Sequence, residues 1–149
     1  MSIPKLLPLP VEIEVARDDE AAEFLKRTQR EALSTLYGFP VIWHEQEHAF
    51  VARSGEAIVG AARLRVVASL GYVEAITVAP DQRRKGIGRL LLERCEEVAN
   101  YYNCHKVTVA VMHDGAAQQF FTSCGYKLDA VLPQHTFKLD VALLRKFLL

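Results

Sequence analysis

Between Tyr72 and Met112 the hydrophobic period of the chain changes twice, and this constrains the fold more than any other feature. Tyr72–Val78 reads as a strand. Ile87, Leu90, Leu91, Cys95, Val98, Ala99 and Tyr102 then recur at helical spacing, with Glu93, Glu96, Glu97 and Asn100 on the opposite side, which predicts a helix over Gly86–Tyr102. Lys106–Met112 is β-branched and almost wholly apolar, as expected of a strand covered on both faces. A strand, a helix and a strand in that order place the chain among α/β mixtures.

The flanking segments extend this unit. Val11, Ile13 and Val15 alternate with Glu12 and Glu14, the pattern of a half-buried strand over Val11–Arg17. Asp18 or Asp19 can cap a helix running to about Leu36, whose apolar side is Ala21, Phe24, Leu25, Thr28, Ala32 and Leu36. Tyr37-Gly38-Phe39-Pro40 breaks it. The aromatic and apolar cluster of Tyr37, Phe39, Ile42 and Trp43 follows, suited to core packing. Strand-like runs at His48–Arg53 and Ala57–Ala68 flank the turn Ser54-Gly55-Glu56, and so predict a hairpin. Later, Asp114 can cap a short helix with the stripe Ala117, Phe120, Phe121 and Cys124, ended by Gly125. Tyr126–Val131 and Thr136–Val141 are the last expected strands, and Ala142–Leu149 is apolar enough to be packed.

With 149 residues, the chain suits a single domain over 1–149 with residues 1–10 as an N-terminal arm. Its 18 acidic and 18 basic side chains cancel, which argues against a general nucleic-acid binder. Cys95, Cys104 and Cys124 make an odd count without Cys-x-x-Cys spacing, so neither a disulfide framework nor a metal site is expected. The five histidines show no helix-based ligand spacing. No apolar run is long enough for a signal peptide or a membrane span, and a cytoplasmic protein is the expectation.

The segment between the strand Tyr72–Val78 and the helix carries the chemistry. Arg83, Arg84, Lys85 and Arg89 place four cations within seven residues of a chain with zero net charge. Gly86 and Gly88 would let a ligand approach the backbone closely. A helix begins there, and helix N-termini present unpaired N–H groups and the positive end of the macrodipole. These features describe a site for a polyanion. The third glycine of a dinucleotide fingerprint and the Lys-Ser/Thr ending of a P-loop are both missing.

Gln82-Arg83-Arg84-Lys85-Gly86-Ile87-Gly88 resembles the Arg/Gln-x-x-Gly-x-Gly/Ala signature of the GNAT superfamily of acyl-CoA N-acyltransferases. Val73–Pro80 resembles the strand before that signature. Gly60-Ala61-Ala62-Arg63 is similar to the end of the family's hairpin strand, and Phe120–Tyr126 to its Phe-Tyr-x-x-x-Gly-Phe helix end. The resemblance covers roughly Val11 to Val141. It implies a GNAT-like fold: a central twisted mixed sheet, flanked by helices, whose fourth and fifth strands splay apart. It also implies acetyl-CoA as cosubstrate. The pantetheine arm would pair with backbone of Ile76, Thr77 and Val78, and the pyrophosphate would lie on N–H groups across Arg83, Arg84, Lys85, Gly86, Ile87, Gly88 and Arg89. Asp114 stands where many relatives have an asparagine near the pantetheine, and Phe121 where many have a tyrosine able to protonate the departing thiolate. Phenylalanine has no proton to donate.

Acetyl transfer to an amine requires a free lone pair, so a base must remove a proton. Glu74 is the candidate, read as lying on one face with Tyr72, Ile76 and Val78; several polyamine-acetylating relatives carry a glutamate at the matching position. A structural salt bridge from Glu74 to Arg63 or Arg65 is the alternative. The Val78 N–H is the candidate donor to the developing oxyanion. His135 is a further candidate acceptor contact. The expected partner is a small-molecule or peptide amine, with no nucleic acid and no membrane, and a homodimer is compatible. Two functions stay open: an N-acetyltransferase working by direct transfer, and a non-catalytic CoA-binding regulatory or interaction module on the same fold.

Overall fold

The computed structural model describes residues 10–41 and 44–148, so Ile42, Trp43, Leu149 and nearly all of the N-terminal arm lie outside it. The chain divides into two units, residues 1–42 and 43–149.

In the first unit one helix, α1 (Glu20–Tyr37), is the regular element. Asp19 occupies the N-cap position without a side-chain cap bond; instead the Arg17 N–H donates to Glu20 Oε1 at 2.9 Å. Gly38, at φ 73, closes the helix by donating to the Ser34 carbonyl. The expected strand Val11–Arg17 does not form: the segment has no regular structure, and Val11, Ile13 and Val15 are 65, 94 and 91% exposed. Alternation defines a face, but a strand exists only where a neighbour takes its hydrogen bonds.

The second unit holds a six-stranded sheet of order β1-β2-β3-β4-β6-β5, formed by β1 (Gln46–Ser54), β2 (Ala57–Val67), β3 (Leu70–Val78), β4 (Lys106–Met112), β5 (Lys127–Thr136) and β6 (Leu139–Phe147). All neighbours are antiparallel except β3 and β4. That parallel pair is connected through α2 (Ile87–Tyr101), as a parallel crossover requires. α3 (Ala116–Ser123) follows β4. The final hairpin differs from expectation. β5 and β6 meet at Phe137-Lys138, both at positive φ (50° and 62°), so strand continues through Ala142–Phe147 where only packed chain was anticipated. A two-residue turn of that hand usually announces itself with Gly or Asn, and neither is present.

One face of the sheet bears the core. Leu64, Val66, Val73, Val107, Val109, Ala142 and Leu144 pack there with Leu91, Leu92, Cys95 and Ala99 of α2 and Phe121 of α3. Gly71 lets β3 approach α2 closely, since a Cβ there would lie 3.0 Å from that of Ala99. One polar knot crosses the core. The Tyr126 hydroxyl donates to Glu96 Oε2 at 3.1 Å, and Lys146 Nζ donates to Glu96 Oε1 and to the Cys124 carbonyl, each at 3.2 Å. It ties α2, the end of α3 and β6 together, and it satisfies a hydroxyl that burial would otherwise penalise.

All three cysteines are free and buried. Burial raises the Cys95 thiol to about 11, with the charge of Glu96 adding to it. Unfolding returns this thiol to its ordinary value of 9.0. The folded state therefore keeps a proton that the unfolded chain loses, so stability is intact below pH 9 and declines as pH rises toward 11. Denaturant melts at stepped pH should show this decline, and Cys95→Ala should flatten it by on the order of 2–3 kcal/mol at the upper end. An unchanged slope in that variant would assign the decline to other groups.

Candidate acetyl-CoA cleft

β3 and β4 pair only at Leu70–Lys106, Gly71–Val107 and Tyr72–Thr108. Beyond these three pairs β3 runs on to Val78 beside β2, while β4 runs on to Met112 beside β6. The strands thus part toward their C-terminal ends, and a cleft of about 640 Å³ opens there. Ile76, Thr77 and Val78 form one wall, the start of α2 closes the end, and Ala116, Ala117, Phe120, Phe121 and Ser123 come from α3.

Backbone bookkeeping shows which groups face the gap. The Ala79 N–H donates to the Val59 carbonyl at 2.8 Å, and Gly60–Val78, Ala61–Thr77 and Ala62–Ile76 are the next pairs of the ladder. In an antiparallel ladder, bonded and non-bonded pairs alternate. Thr77 therefore turns its polar backbone toward β2, while Ile76 and Val78 turn theirs toward the missing strand. Of the three residues expected to meet a pantetheine arm, two present free N–H groups and Thr77 contributes only lining.

The connection from β3 to α2 passes through a single 3₁₀ turn, Pro80–Gln82, and then through Arg84 at φ 62 and Gly86 at φ 83. Gly86 caps α2 without a side-chain bond, and the first helical bond is from the Leu90 N–H to the Gly86 carbonyl at 3.1 Å. The N–H groups of Ile87, Gly88 and Arg89 consequently have no intrahelical partner. The cations divide in role. Arg83 Nε donates to the Val78 carbonyl at 3.1 Å and Arg89 Nη2 to the Ser123 carbonyl at 3.2 Å, so the first ties the β3–α2 connection to β3, the second ties α2 to the end of α3, and both line the cleft. Lys85 donates to Gln82 and does not line the cleft. Arg84 lines it and makes no side-chain hydrogen bond among the described residues.

Gly88 lines the cleft and has a packing role besides. A Cβ there would lie 3.3 Å from Phe120 Cζ, so the glycine admits the α3 ring that forms the cleft wall. Asp114 is placed differently from expectation. It sits at φ 58, its carboxylate lies 3.4 Å from His113 Nε2, and it neither caps α3 nor lines the cleft. Gln118 reaches back from α3 to accept from the Asp114 N–H, and α3 has no side-chain cap bond. Phe121 lines the cleft but is 1% exposed, its ring edge-on to Phe120 and Tyr126. Sequence reasoning missed Gln82, Ala116, Ala117, Phe120 and Ser123; the α3 stripe contained Ala117 and Phe120, but both looked like core alone.

Glu74 lies outside the cleft lining. The β2–β3 register skips it: Arg63 pairs with Ala75 and Leu64 with Val73, making Glu74 the extra residue of a β-bulge. The bulge breaks the alternation. Glu74 stays on the face of Tyr72, whereas Ile76 and Val78 swing to the face of α2, so the four do not share one side. The Glu74 carboxylate accepts from Arg65 Nε at 2.7 Å and from Arg63 Nε at 3.2 Å. His135, the other acceptor candidate, bonds to its neighbour Thr136.

No curated protein matches the chain by sequence. Several solved structures share its fold. An acetyltransferase from Bacillus cereus aligns over 93% of this chain and 98% of its own with TM-score 0.74 at 20% identity. The ribosomal-protein-alanine N-acetyltransferase from Brucella melitensis aligns over 83% of this chain and 77% of its own with TM-score 0.60 at 25% identity. A Bacillus anthracis protein assigned as a streptothricin acetyltransferase, solved in complex with acetyl coenzyme A, aligns over 68% of this chain and 62% of its own with TM-score 0.65 at 18% identity. The sequence profile of the Acetyltransferase (GNAT) family matches residues 14–126. With its splayed β3 and β4, its uncapped helix at the end of the cleft and this match over most of its length, the chain belongs to the GNAT acetyltransferase family.

Proposed function

We propose that the protein moves an acetyl group from acetyl-CoA to a primary amine of a small molecule or peptide, directly and within a ternary complex. The observation that carries this reading is the cleft itself. It has free N–H groups of Ile76 and Val78 along one wall, unpaired N–H groups of Ile87, Gly88 and Arg89 at its end, and the uncommitted cation of Arg84 beside them. Such a set suits an extended amide-bearing arm that ends in a diphosphate. A structural neighbour named as a ribosomal-protein-alanine N-acetyltransferase, and another solved with acetyl coenzyme A, support the same assignment.

In the transfer, the amine nitrogen bonds to the acetyl carbon, the carbon–sulfur bond breaks, and the electron pair leaves on the thiolate. The Val78 N–H would steady the oxyanion that forms on the way. Each oxygen of Glu74 keeps a lone pair beyond those taken by the guanidiniums, so Glu74 would receive the amine proton through water. Phe121 packs and donates nothing, leaving the thiolate to depart unaided or to draw its proton from water. The commitment of Glu74 to two arginines also fits a second reading, a CoA-binding module without catalysis.

Three outcomes test the proposal. Calorimetry should find CoA binding that weakens with salt, and Arg84→Gln should weaken it by about tenfold, as for one charge-assisted bond; unchanged affinity would move the diphosphate elsewhere. Gly88→Val should abolish CoA binding by displacing Phe120. Glu74→Gln should retain CoA affinity and release free thiol about 10²–10⁴-fold more slowly in the presence of acceptor, with partial recovery at high pH. Full activity across pH in that variant would remove Glu74 from proton transfer, and no thiol release from the wild type with any amine would favour the binding module.

A further inference from the structure

Both helices of the second unit lie on one face of its sheet; the other face of β2 and β3 carries Arg63, Arg65, Tyr72 and Glu74. Arg65 is wholly engaged there: Nε donates to Glu74, Nη1 donates to Glu45 at 3.3 Å, and the guanidinium lies 4.5 Å from the Tyr72 ring centroid. Arg63 is not. Only its Nε is used, held by Glu74, and among the described residues its two Nη groups have no hydrogen bond. Its side chain is 56% exposed, against 25% for Glu74. A guanidinium fixed through Nε with its Nη edge bare is oriented for a planar, two-pronged anion.

Its place on the sheet says what that anion could belong to. Arg63 follows Ala61 on the same face, and the ladder partners of these two are Ala75 and Thr77. Thr77 lines the cleft. The path from the cleft wall to Arg63 is therefore two residues long, about 7 Å, and it is floored by alanines that leave it open. An amine held at the Val78 end of the cleft and approaching from this face would bring substituents a few bonds from its nitrogen into reach of Arg63.

We propose that Arg63 selects the acceptor by gripping a carboxylate on it, so that the amine substrates of this enzyme are amino carboxylates, amino acids or acidic peptides among them. The bulge leaves Glu74 on the arginine face while it carries Ile76 and Val78 to the other, and from there the Glu74 carboxylate aims Arg63. Arg63 and Arg65 are balanced by Glu74 and Glu45, so the site gains specificity from geometry and has no excess charge to hold a dianion. This inference rests on the acetyl-transfer reading above.

The test compares amino carboxylates of several chain lengths with their decarboxylated counterparts, following thiol release from acetyl-CoA. Wild-type kcat/KM should favour the carboxylate series by about tenfold or more, the effect of one charge-assisted pair. Arg63→Met should bring the ratio between the series close to one, chiefly through a higher KM for the carboxylate acceptor, and Arg63→Lys should keep part of it. Acetyl-CoA affinity of each variant, by calorimetry, monitors an intact fold. Equal rates for both series in the wild type, or an undiminished ratio in Arg63→Met, would overturn the proposal. Acetyl-CoA binding without acetylation of either series overturns the acceptor assignment alone. Loss of acetyl-CoA binding in the wild type overturns the transfer reading as well.

Discussion

The parallel pairing of β3 with β4 stops after Tyr72–Thr108, and the functional architecture depends on that stop. Were the ladder to continue, the N–H groups of Ile76 and Val78 would be consumed inside the sheet and no cleft would exist. Each strand remains satisfied on its other side, β3 by β2 and β4 by β6, so the opening leaves unpaired the backbone groups that face the gap. Unpaired backbone inside a protein is costly, and its presence along one short wall is a physical argument for a polar ligand there.

Three contacts hold the open end in shape. Arg83 binds the end of β3, Arg89 binds the end of α3, and Gly88 admits the ring of Phe120. Deeper in, Glu96 joins Tyr126 and Lys146 across the core. α2 is thus pinned at its first turn and again at mid-length, and its free N–H groups point at a fixed place. Preorganisation of this kind matters because a donor that must move into position at the moment of reaction loses much of its value.

A single inserted residue separates the two faces of β3. The bulge lets one strand offer Ile76 and Val78 to the cleft while presenting Glu74 to the arginines on the other side. A regular strand would have placed all of them together on the face of Tyr72, and Ile76 and Val78 would have turned away from the helices. The bulge thereby lets the same strand pack Ile76 and Val78 against the core and keep Glu74 beside Arg63 and Arg65.

By itself the sequence determined the elements whose pattern is local. The spacing of Ile87 to Tyr102, the apolar run Lys106–Met112, the hairpin around Gly55 and the basic turn with Gly86 and Gly88 all follow from side-chain periodicity and backbone freedom. The lining around the start of α2 was legible for the same reason, whereas Ile76, Thr77, Val78 and Phe121 followed from the resemblance to the GNAT family. Tertiary structure decided the rest. Val11–Arg17 alternates like a strand, yet a strand needs a partner that periodicity cannot supply. The β5–β6 turn uses Phe137 and Lys138 in a conformation their types do not advertise. Which cations are tied to carbonyls at Val78 and Ser123 is settled by the tertiary structure, and so are the faces of Ile76 and Val78, through register with β2. Local patterns fix the elements because they act within a few residues; register, bulges and pairing are settled by contacts between segments far apart in sequence.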